Sequence, residues 1–256
     1  MFMVGNPPNQ RGIAFRRRWP ARSEAPGLVW LCGYRSDMES TKASALDAEA
    51  ARLGLGLLRF DYSGHGRSEG RLEDGTISRW LEETVAIIRA ESQGPQILLG
   101  SSMGGWLALL TARALQEARE GGRVLGLILI APAVDFTEAL IWERLPEDAR
   151  RAIMEEGAWR RPSAYSDEPD CFTRALIEDG REHLLFGGMI RTGCPTVVLQ
   201  GMRDDDVPYA HALALMERLG GDPATLTLIR DGDHRLSRPQ DLELLFDALG
   251  RMAEAR

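Results

Sequence analysis

The chain has 256 residues, of which 44% are hydrophobic, and its formal net charge is −7 at pH 7. This length suits a single α/β domain, and the hydrophobic fraction is sufficient for a full core. The negative charge disfavours a protein that follows a nucleic-acid backbone, because such proteins need a basic face to displace counterions. Anionic membranes are poor partners for the same reason.

The sequence shows no membrane-spanning segment and no metal-binding motif. Its longest apolar run, VLGLILIAPAV, is shorter than the ~20 residues that cross a bilayer. The opening residues, MFMVGNPPNQRG, hold too short an apolar stretch for a signal peptide. Cys32, Cys171 and Cys194 form no C-x-x-C pair, so neither a disulfide framework nor a zinc site is indicated. We therefore expect a cytoplasmic location.

Apolar runs of strand length alternate with longer helical patterns, which indicates β-α-β units and a mainly parallel sheet flanked by helices. In chain order, the first half is predicted to contain an edge strand GIAFRRRWPA, a strand from Leu28 to Tyr34, a helix from Thr41 to Leu53, a strand from Leu55 to Phe60, and a helix from an N-cap at Ser78 to about Ser92.

The second half continues the alternation after a strand QILLG. It is predicted to contain a helix from about Gly104 to Glu120, a strand LGLILIAP, a strand from Thr196 to Gly201, a helix from Pro208 to Leu219, a strand ATLTLIRD, and a helix from Pro239 to Ala253. We see no internal repeat, and residues 1–256 are interpreted as one domain.

A long insertion interrupts this alternation before the penultimate strand. Residues 136–194 are rich in charge and contain Pro162 and Pro169, and an insertion of this length between consecutive strands is typical of a functional cap. We interpret the segment as a cap or lid within the domain. Additional outer helices are the alternative.

Residues 100–104, GSSMG, fit the pattern G-x-S-x-G with Ser102 at its centre. A predicted strand precedes the motif and a predicted helix follows it, which is the context of a nucleophile elbow. Side chains at Gly100 and Gly104 would clash at so sharp a turn. Ser101 should point away and pack. A phosphate-binding loop is excluded, because G-x-x-x-x-G-K-[ST] requires a lysine that this stretch lacks.

A serine hydroxyl needs an adjacent base to become an effective nucleophile. His234 is the best candidate, because it follows the last predicted strand, and parallel-sheet enzymes assemble their sites at the carboxyl ends of strands. His65 lies in a loop at the same end of the sheet and could be near the site. His183 and His211 lie in charge-rich helical stretches and are interpreted as surface residues.

The base in turn needs an acid that fixes its tautomer. GMRDDDVPY offers Asp204, Asp205 and Asp206 after the penultimate strand. Asp204 is closest to the strand end and should reach inward, whereas the other two should be solvated or cap a helix. Asp135, after the preceding strand, is the alternative acid.

Acyl transfer also requires donors for the developing oxyanion. The backbone N–H of Met103, directly after the nucleophile, is one candidate. The second is the N–H of Tyr34, where Gly33 leaves room for it to face the site. A simple strand-ending turn is the alternative for Gly33 and Tyr34.

The order Ser102, Asp204, His234 along the chain is that of α/β-hydrolases. Six stretches strengthen the resemblance: GYRSDMESTKA, RFDYSGHGRSEG, GPQILLGSSMGGW, WRRPSAYS, QGMRDDDVPY and DHRLS. Together they make the chain similar to α/β-hydrolases over nearly its whole length. More narrowly, it resembles the branch that contains palmitoyl-protein thioesterases, also called mycophenolic acid acyl-glucuronide esterases. The resemblance implies a serine esterase or thioesterase with this triad and a cap from about Phe136 to Cys194.

We therefore predict hydrolysis of a small-molecule carboxylic ester or thioester through an acyl-enzyme, with no cofactor and no metal. An amidase, a C–C bond hydrolase, a perhydrolase or a non-catalytic receptor for small molecules remain alternatives on the same triad. Halide release and epoxide opening are disfavoured, because those relatives use aspartate as the nucleophile.

The predicted cap supplies candidates for substrate contact. Trp142, Trp159 and Met189 are candidate substrate-binding residues, with a place in the core as the alternative. Arg160 and Arg161 could meet an acidic leaving group, although solvated charge is the simpler interpretation.

Overall fold

The computed structural model describes residues 1–22, 25–162 and 169–254. Its strands are β1 (Phe2–Val4), β2 (Arg11–Ile13), β3 (Phe15–Arg18), β4 (Gly27–Leu31), β5 (Gly56–Phe60), β6 (Gln96–Ser101), β7 (Val124–Ile130), β8 (Ala158–Arg161), β9 (Asp170–Thr173), β10 (Thr196–Gly201) and β11 (Ala224–Ile229). Its α-helices are α1 (Thr41–Leu53), α2 (Ile77–Glu91), α3 (Met103–Glu117), α4 (Glu147–Arg151), α5 (Arg174–Arg181), α6 (Tyr209–Arg218) and α7 (Pro239–Glu254).

Seven of these strands form one sheet in the order β11-β10-β7-β6-β4-β5-β3. All neighbours pair in parallel except β3, which runs antiparallel to β5 at one edge. Every residue of β4, β5 and β6 is buried, as expected for strands whose two faces are covered. The predicted mainly parallel sheet with flanking helices is confirmed.

The amino-terminal prediction is right in part. GIAFRRRWPA supplies the edge strand β3, whose three arginines are exposed. Its first residues instead contribute to β2, which pairs with β1 in a separate two-stranded sheet.

The start of α2 differs from its prediction by two residues. Thr76 is the N-cap, since its side chain accepts a hydrogen bond from the Arg79 amide. Ser78 lies in the first helical turn, and its amide donates to Asp179 at 2.8 Å. Both residue types cap helices well, so composition alone did not separate them.

Residues 136–194 connect β7 to β10, which are neighbours in the sheet. The described part of this insertion contains α4, α5, the hairpin of β8 and β9, and short helical turns at Phe136–Ile141, Trp142–Arg144 and Ala152–Glu156. The last four residues of WRRPSAYS lie outside the described residues. Within the described ranges, no helix is long and apolar enough to cross a membrane.

Candidate active site

Ser102 lies on the turn between β6 and α3 and has φ 55° and ψ −121°. Such a backbone conformation is costly for a residue with a side chain, and it is the strained geometry of a nucleophile elbow. The Ser102 amide donates to the Ile130 carbonyl at 2.9 Å, and the Ser102 carbonyl accepts from Gly105 and Ala133. The turn is therefore held by β7 on one side and by α3 on the other.

The flanking glycines are required by close backbone contacts, as the sequence predicts. A Cβ added to Gly100 would collide with the carbonyl group of Gly104. A Cβ added to Gly104 would collide with the carbonyl group of Leu31 in β4. Ser101 is buried at the end of β6, and it is also among the residues that line a cavity beside Ser102.

The three residues predicted to act together are in hydrogen-bonding contact. His234 lies in the loop between β11 and α7, and its Nε2 is 3.1 Å from Ser102 Oγ. The other ring nitrogen, Nδ1, donates to Asp204 Oδ2 at 2.8 Å. Asp204 follows β10 and its side chain is fully buried, whereas that of His234 is 17% exposed. The Ser102 hydroxyl thus faces the His234 imidazole, and Asp204 fixes the orientation of that ring through Nδ1.

Further donors hold the Asp204 carboxylate in place. Its Oδ1 accepts from the amides of Asp206 at 3.0 Å and Val207 at 2.8 Å. Gln200 Nε2, buried in β10, donates to Asp204 Oδ2 at 3.1 Å and also to the carbonyls of Gly201 and Val207. The sequence analysis missed Gln200, although a glutamine inside the apolar strand TVVLQG is a signal that could have identified it.

Asp204, Asp206 and His234 also form a grouping of possible metal ligands among the described residues, with ligand atoms within 4.8 Å of one another. Two of these ligand atoms, His234 Nδ1 and Asp204 Oδ2, are hydrogen-bonded to each other. Asp204 Oδ1 accepts from two amides. The donor set therefore fits an imidazole–carboxylate pair better than a metal site.

The loop after β4 lies directly against the elbow. A Cβ added to Gly33 would be 3.2 Å from the Ser102 Cβ, a tight contact that would require a shift of a few tenths of an ångström. The hydroxyl of the next residue, Tyr34, donates to the Cys171 carbonyl at 2.5 Å, and its ring stacks on Phe172 at 5.8 Å. The sequence analysis considered only the backbone of Tyr34, whereas its side chain connects this loop to the insertion.

Two cavities meet at Ser102, and both are lined by Ser102, Tyr34, Asp170 and His234. The larger has a volume of about 360 Å³ and a polar lining of Arg35, Ser36, Ser40, Thr41, Lys42, Arg235 and Ser237. The smaller has a volume of about 220 Å³ and a mixed lining, in which Phe136, Leu140, Ile141, Leu145, Phe172 and Val207 lie beside charged side chains. We call them the polar cavity and the apolar cavity.

Lys42, the only lysine in the sequence, lines the polar cavity at the start of α1. Its ammonium group donates to the Arg235 carbonyl and lies 3.3 Å from Ser237 Oγ. Burial lowers the pKa of Lys42 to about 8. The side chain ties α1 to the loop that carries His234.

The remaining histidines have structural environments. His65 is buried, with edge-to-face contacts to Tyr34 and Trp80, and burial lowers its pKa to about 4. His211 is not an ordinary surface residue, because its Nε2 donates to the Val134 carbonyl at 2.8 Å and burial lowers its pKa to about 4. His183 Nε2 is 2.7 Å from Ser78 Oγ at the contact between α5 and α2.

Asp135, the alternative acid, has another role. Its buried carboxylate accepts hydrogen bonds from the amides of Leu185 and Phe186 at 2.8 and 2.9 Å. Burial raises the pKa of this carboxyl group. Asp135 therefore anchors the end of the insertion to its beginning.

The structure does not bring the predicted substrate-contacting residues into either described cavity. Trp142 contacts the guanidinium groups of Arg150 and Arg181 instead. Trp159 stacks on the outside of Phe172, with ring centroids 6.3 Å apart. Met189 is 65% exposed. A tryptophan or methionine in a pattern does not reveal which face its element buries.

The two arginines of the WRRP stretch have different environments. Arg161 lines the apolar cavity and pairs with Asp170 at 3.4 Å. Arg160 lies on the surface, 3.7 Å from Glu73. Neither is among the described residues that line the polar cavity.

Comparisons with known proteins agree with this geometry. A model described as the alpha/beta hydrolase family matches residues 17–245. The chain is 34% identical over 241 residues to palmitoyl-protein thioesterase ABHD10, mitochondrial, of Homo sapiens, a match that covers 94% of this chain and 76% of the human protein.

Solved structures give the same result. A protein from Agrobacterium vitis S4 is 52% identical with a TM-score of 0.95, covering 99% of this chain and 97% of that chain. Mouse alpha/beta hydrolase domain-containing protein 10 is 32% identical with a TM-score of 0.85, covering 98% of each chain. These matches confirm the resemblance and the α/β-hydrolase fold that the sequence predicts.

The expected cytoplasmic location is wrong on this comparison. The curated relatives from Bos taurus, Homo sapiens and Pongo abelii are all named as mitochondrial. The expectation depended partly on unpaired cysteines, which are compatible with any reducing compartment. Cysteine usage could therefore not distinguish one such compartment from another.

Proposed function

The chain belongs to the α/β-hydrolase family, and from this premise we propose that it cleaves carboxylic esters or thioesters through an acyl-enzyme intermediate on Ser102. The expectation of an enzyme of the hydrolase class is confirmed by this membership. Relatives named as thioesterases support an ester or thioester as the bond that is cleaved.

One observation carries the proposal: Ser102 Oγ, the His234 ring and the Asp204 carboxylate are connected by contacts of 3.1 and 2.8 Å. In this arrangement His234 acts as general base towards the serine and Asp204 stabilises the imidazolium that forms. The three groups come from separate segments, after β6, β10 and β11. Their contact is therefore not a by-product of local chain geometry, which supports a functional role.

In the first stage, Ser102 Oγ attacks the acyl carbon while His234 Nε2 takes the hydroxyl proton. The tetrahedral intermediate collapses, the bond to the leaving oxygen or sulfur breaks, and His234 returns the proton to that atom. In the second stage, water gives a proton to His234 as it attacks the acyl-serine. The second tetrahedral intermediate then collapses, the carboxylic acid leaves, and His234 returns the proton to Ser102 Oγ. The cycle ends with the starting protonation state and needs no external oxidant or reductant.

We assign the oxyanion hole to the backbone N–H groups of Met103 and Tyr34. Met103 is the first residue of α3, so its N–H has no acceptor within the helix. The close approach of Gly33 to Ser102 supports a contribution from the next amide along the chain. Removing one such donor typically slows acyl transfer by ~10²–10³.

We also propose that residues 136–194 act as the cap of a single domain. Phe136, Leu140, Ile141, Leu145 and Phe172 all belong to this segment and line the apolar cavity. The acyl group then binds in the apolar cavity, against these apolar side chains. The leaving group occupies the polar cavity on the other side of Ser102.

The test is hydrolysis of p-nitrophenyl esters and matched acyl-thioesters by wild type and Ser102→Ala. We expect measurable turnover by the wild type and a loss of several orders of magnitude in kcat for the variant, with its fold intact. His234→Ala should behave similarly.

A folded wild type with no activity on any ester or thioester contradicts the proposal. Activity on anilides only would indicate an amidase, and activity on C–C bonded diketones only would indicate a C–C bond hydrolase. Peroxide-dependent turnover alone would indicate a perhydrolase, and tight binding of acyl compounds without turnover would indicate a receptor.

A further inference from the structure

Tyr34, whose amide is the second proposed oxyanion donor, lies in a strained turn. The Ser36 amide donates to the Gly33 carbonyl at 3.1 Å, which closes a four-residue turn with Tyr34 and Arg35 at its centre. Arg35 has φ 59°, a left-handed conformation that is unfavourable for a residue with a Cβ. Such strain persists only where the surrounding structure holds the backbone in place. Contacts from outside the turn therefore stabilise it.

The insertion supplies two of these contacts, from β9 and the residue before it. The Tyr34 hydroxyl donates to the Cys171 carbonyl at 2.5 Å. The guanidinium group of the next residue, Arg35, donates to the Pro169 carbonyl. Both acceptors are backbone groups, so their positions follow from the path of the chain and not from a side-chain rotamer. The two central residues of the turn are thus tied to one short stretch of the insertion.

Aromatic contacts fix the direction of the Tyr34 ring. The ring stacks on Phe172 with centroids 5.8 Å apart, and Phe172 in turn stacks on Trp159, its cross-strand partner in the hairpin of β8 and β9. His65 and Trp80 make edge-to-face contacts with the Tyr34 ring from outside the insertion. These contacts restrict the ring to the orientation in which its hydroxyl reaches β9.

The Tyr34 phenol keeps its proton in this environment. Burial raises the pKa of the hydroxyl above its ordinary value of 10. The group therefore remains a hydrogen-bond donor to the Cys171 carbonyl at neutral and mildly alkaline pH.

From these contacts we propose that the Tyr34 side chain is a positioning residue for the oxyanion hole: by binding β9, it fixes the turn that presents the Tyr34 amide to the developing oxyanion. The inference rests on the proposed function and on its assignment of that amide. Oxyanion donors accelerate acyl transfer because they are aimed in advance at the place where the charge develops. A hydrogen bond between the turn and the insertion thus contributes to the chemical step.

Tyr34→Phe tests the inference, because it removes the hydroxyl and keeps the ring that stacks on Phe172. We expect kcat for a p-nitrophenyl ester to fall about tenfold to a hundredfold, since a loosened donor loses part of the ~10²–10³ that a whole donor contributes. KM should change by less than about twofold. Tyr209→Phe is the matched control and should keep the kcat of the wild type, because Tyr209 is 39% exposed and is not among the described residues of either cavity.

Inhibitor binding distinguishes a role in the oxyanion hole from a role in stability alone. An alkyl trifluoromethyl ketone adds to Ser102 and places a negatively charged oxygen in the oxyanion hole, whereas the corresponding alcohol has the same chain and cannot add. In Tyr34→Phe the inhibition constant of the ketone should rise by about the factor by which kcat/KM falls. The inhibition constant of the alcohol should not change. Urea denaturation measures any loss of stability separately.

The outcomes separate this inference from the proposed function. An unchanged kcat in Tyr34→Phe would overturn the inference, whether or not the variant is less stable. A lower kcat with unchanged affinity for the ketone would also overturn it, because the hydroxyl would then act elsewhere than on the oxyanion hole. A folded wild type that hydrolyses no ester or thioester and forms no adduct with the ketone would contradict the proposed function itself.

Discussion

At the scale of single residues, the arrangement of Ser102, His234 and Asp204 depends on Gln200, a residue that lines neither described cavity. Gln200 donates to the Asp204 carboxylate and to two backbone carbonyls that flank it. Asp204 in turn orients the His234 ring. A chain of fixed hydrogen bonds therefore extends from the interior of β10 to the serine hydroxyl.

Replacing Gln200 by Met should lower kcat about tenfold or more, because the carboxylate loses a donor and the imidazole becomes less well positioned. KM should change little, since Gln200 lines neither described cavity. Steady-state kinetics on one thioester separates the two constants.

Gln116→Met is the control for a lost glutamine hydrogen bond. Gln116 Nε2 donates to the Thr192 carbonyl, away from the proposed site. Its variant should lose stability but keep kcat. An unchanged kcat in Gln200→Met would show that Gln200 does not position the carboxylate.

Residue-level prediction is most specific where the chemistry restricts the choice. Ser102, Asp204 and His234 were selected because each follows a predicted strand of the parallel sheet, and the structure brings them into contact. Trp142 and Trp159 were selected by residue type alone, and their side chains pack elsewhere. Which side chain faces a cavity depends on tertiary packing, which a local pattern does not encode.

At the scale of elements, the elbow between β6 and α3 is the feature that sequence specifies most tightly. The backbone approaches itself and β4 so closely that Gly100 and Gly104 admit no side chain. The insertion behaves differently: its length was predictable, but its helical turns and its hairpin depend on contacts with the rest of the molecule.

Gly104→Ala should lower the free energy of unfolding by about 1–3 kcal/mol or prevent folding, because the new methyl group meets the Leu31 carbonyl. Gly122→Ala is the control, since a Cβ there meets no atom within 4 Å. Urea denaturation measures both. Equal stability of the two variants would contradict the close packing at the elbow.

At the scale of the whole molecule, buried neutral histidines connect stability to pH. The pKa values of His65 and His211 are lowered to about 4 by burial, against an ordinary value of 6.5. Between these values the unfolded chain binds more protons than the folded one. Stability is therefore full above pH 6.5 and is lost as the pH falls towards 4.

We expect each of the two histidines to contribute up to about 1.4 kcal/mol of lost unfolding free energy per pH unit in that window. Urea denaturation of wild type and of the double variant His65→Gln/His211→Gln at pH 7, 6 and 5 tests this. The variant should show the weaker dependence on pH, whatever its stability at pH 7. Parallel slopes would show that these histidines are not buried in the neutral form.

The central sheet with its flanking helices was predictable, because alternating strand and helix patterns leave few topologies for a parallel sheet. The antiparallel pairing of β3 with β5 was not, since an alternating strand does not encode its partner's direction. Location was outside the reach of cysteine usage and of the short apolar stretch in MFMVGNPPNQRG, and the expectation drawn from them was wrong.

Covalent labelling tests the central claim most directly. A fluorophosphonate should form one adduct per chain, and peptide mapping by mass spectrometry should locate it on Ser102. Labelling should be lost in Ser102→Ala and greatly slowed in His234→Ala, because the serine then lacks its base. An adduct on another residue, or esterase activity that survives full occupancy of Ser102, would contradict the account.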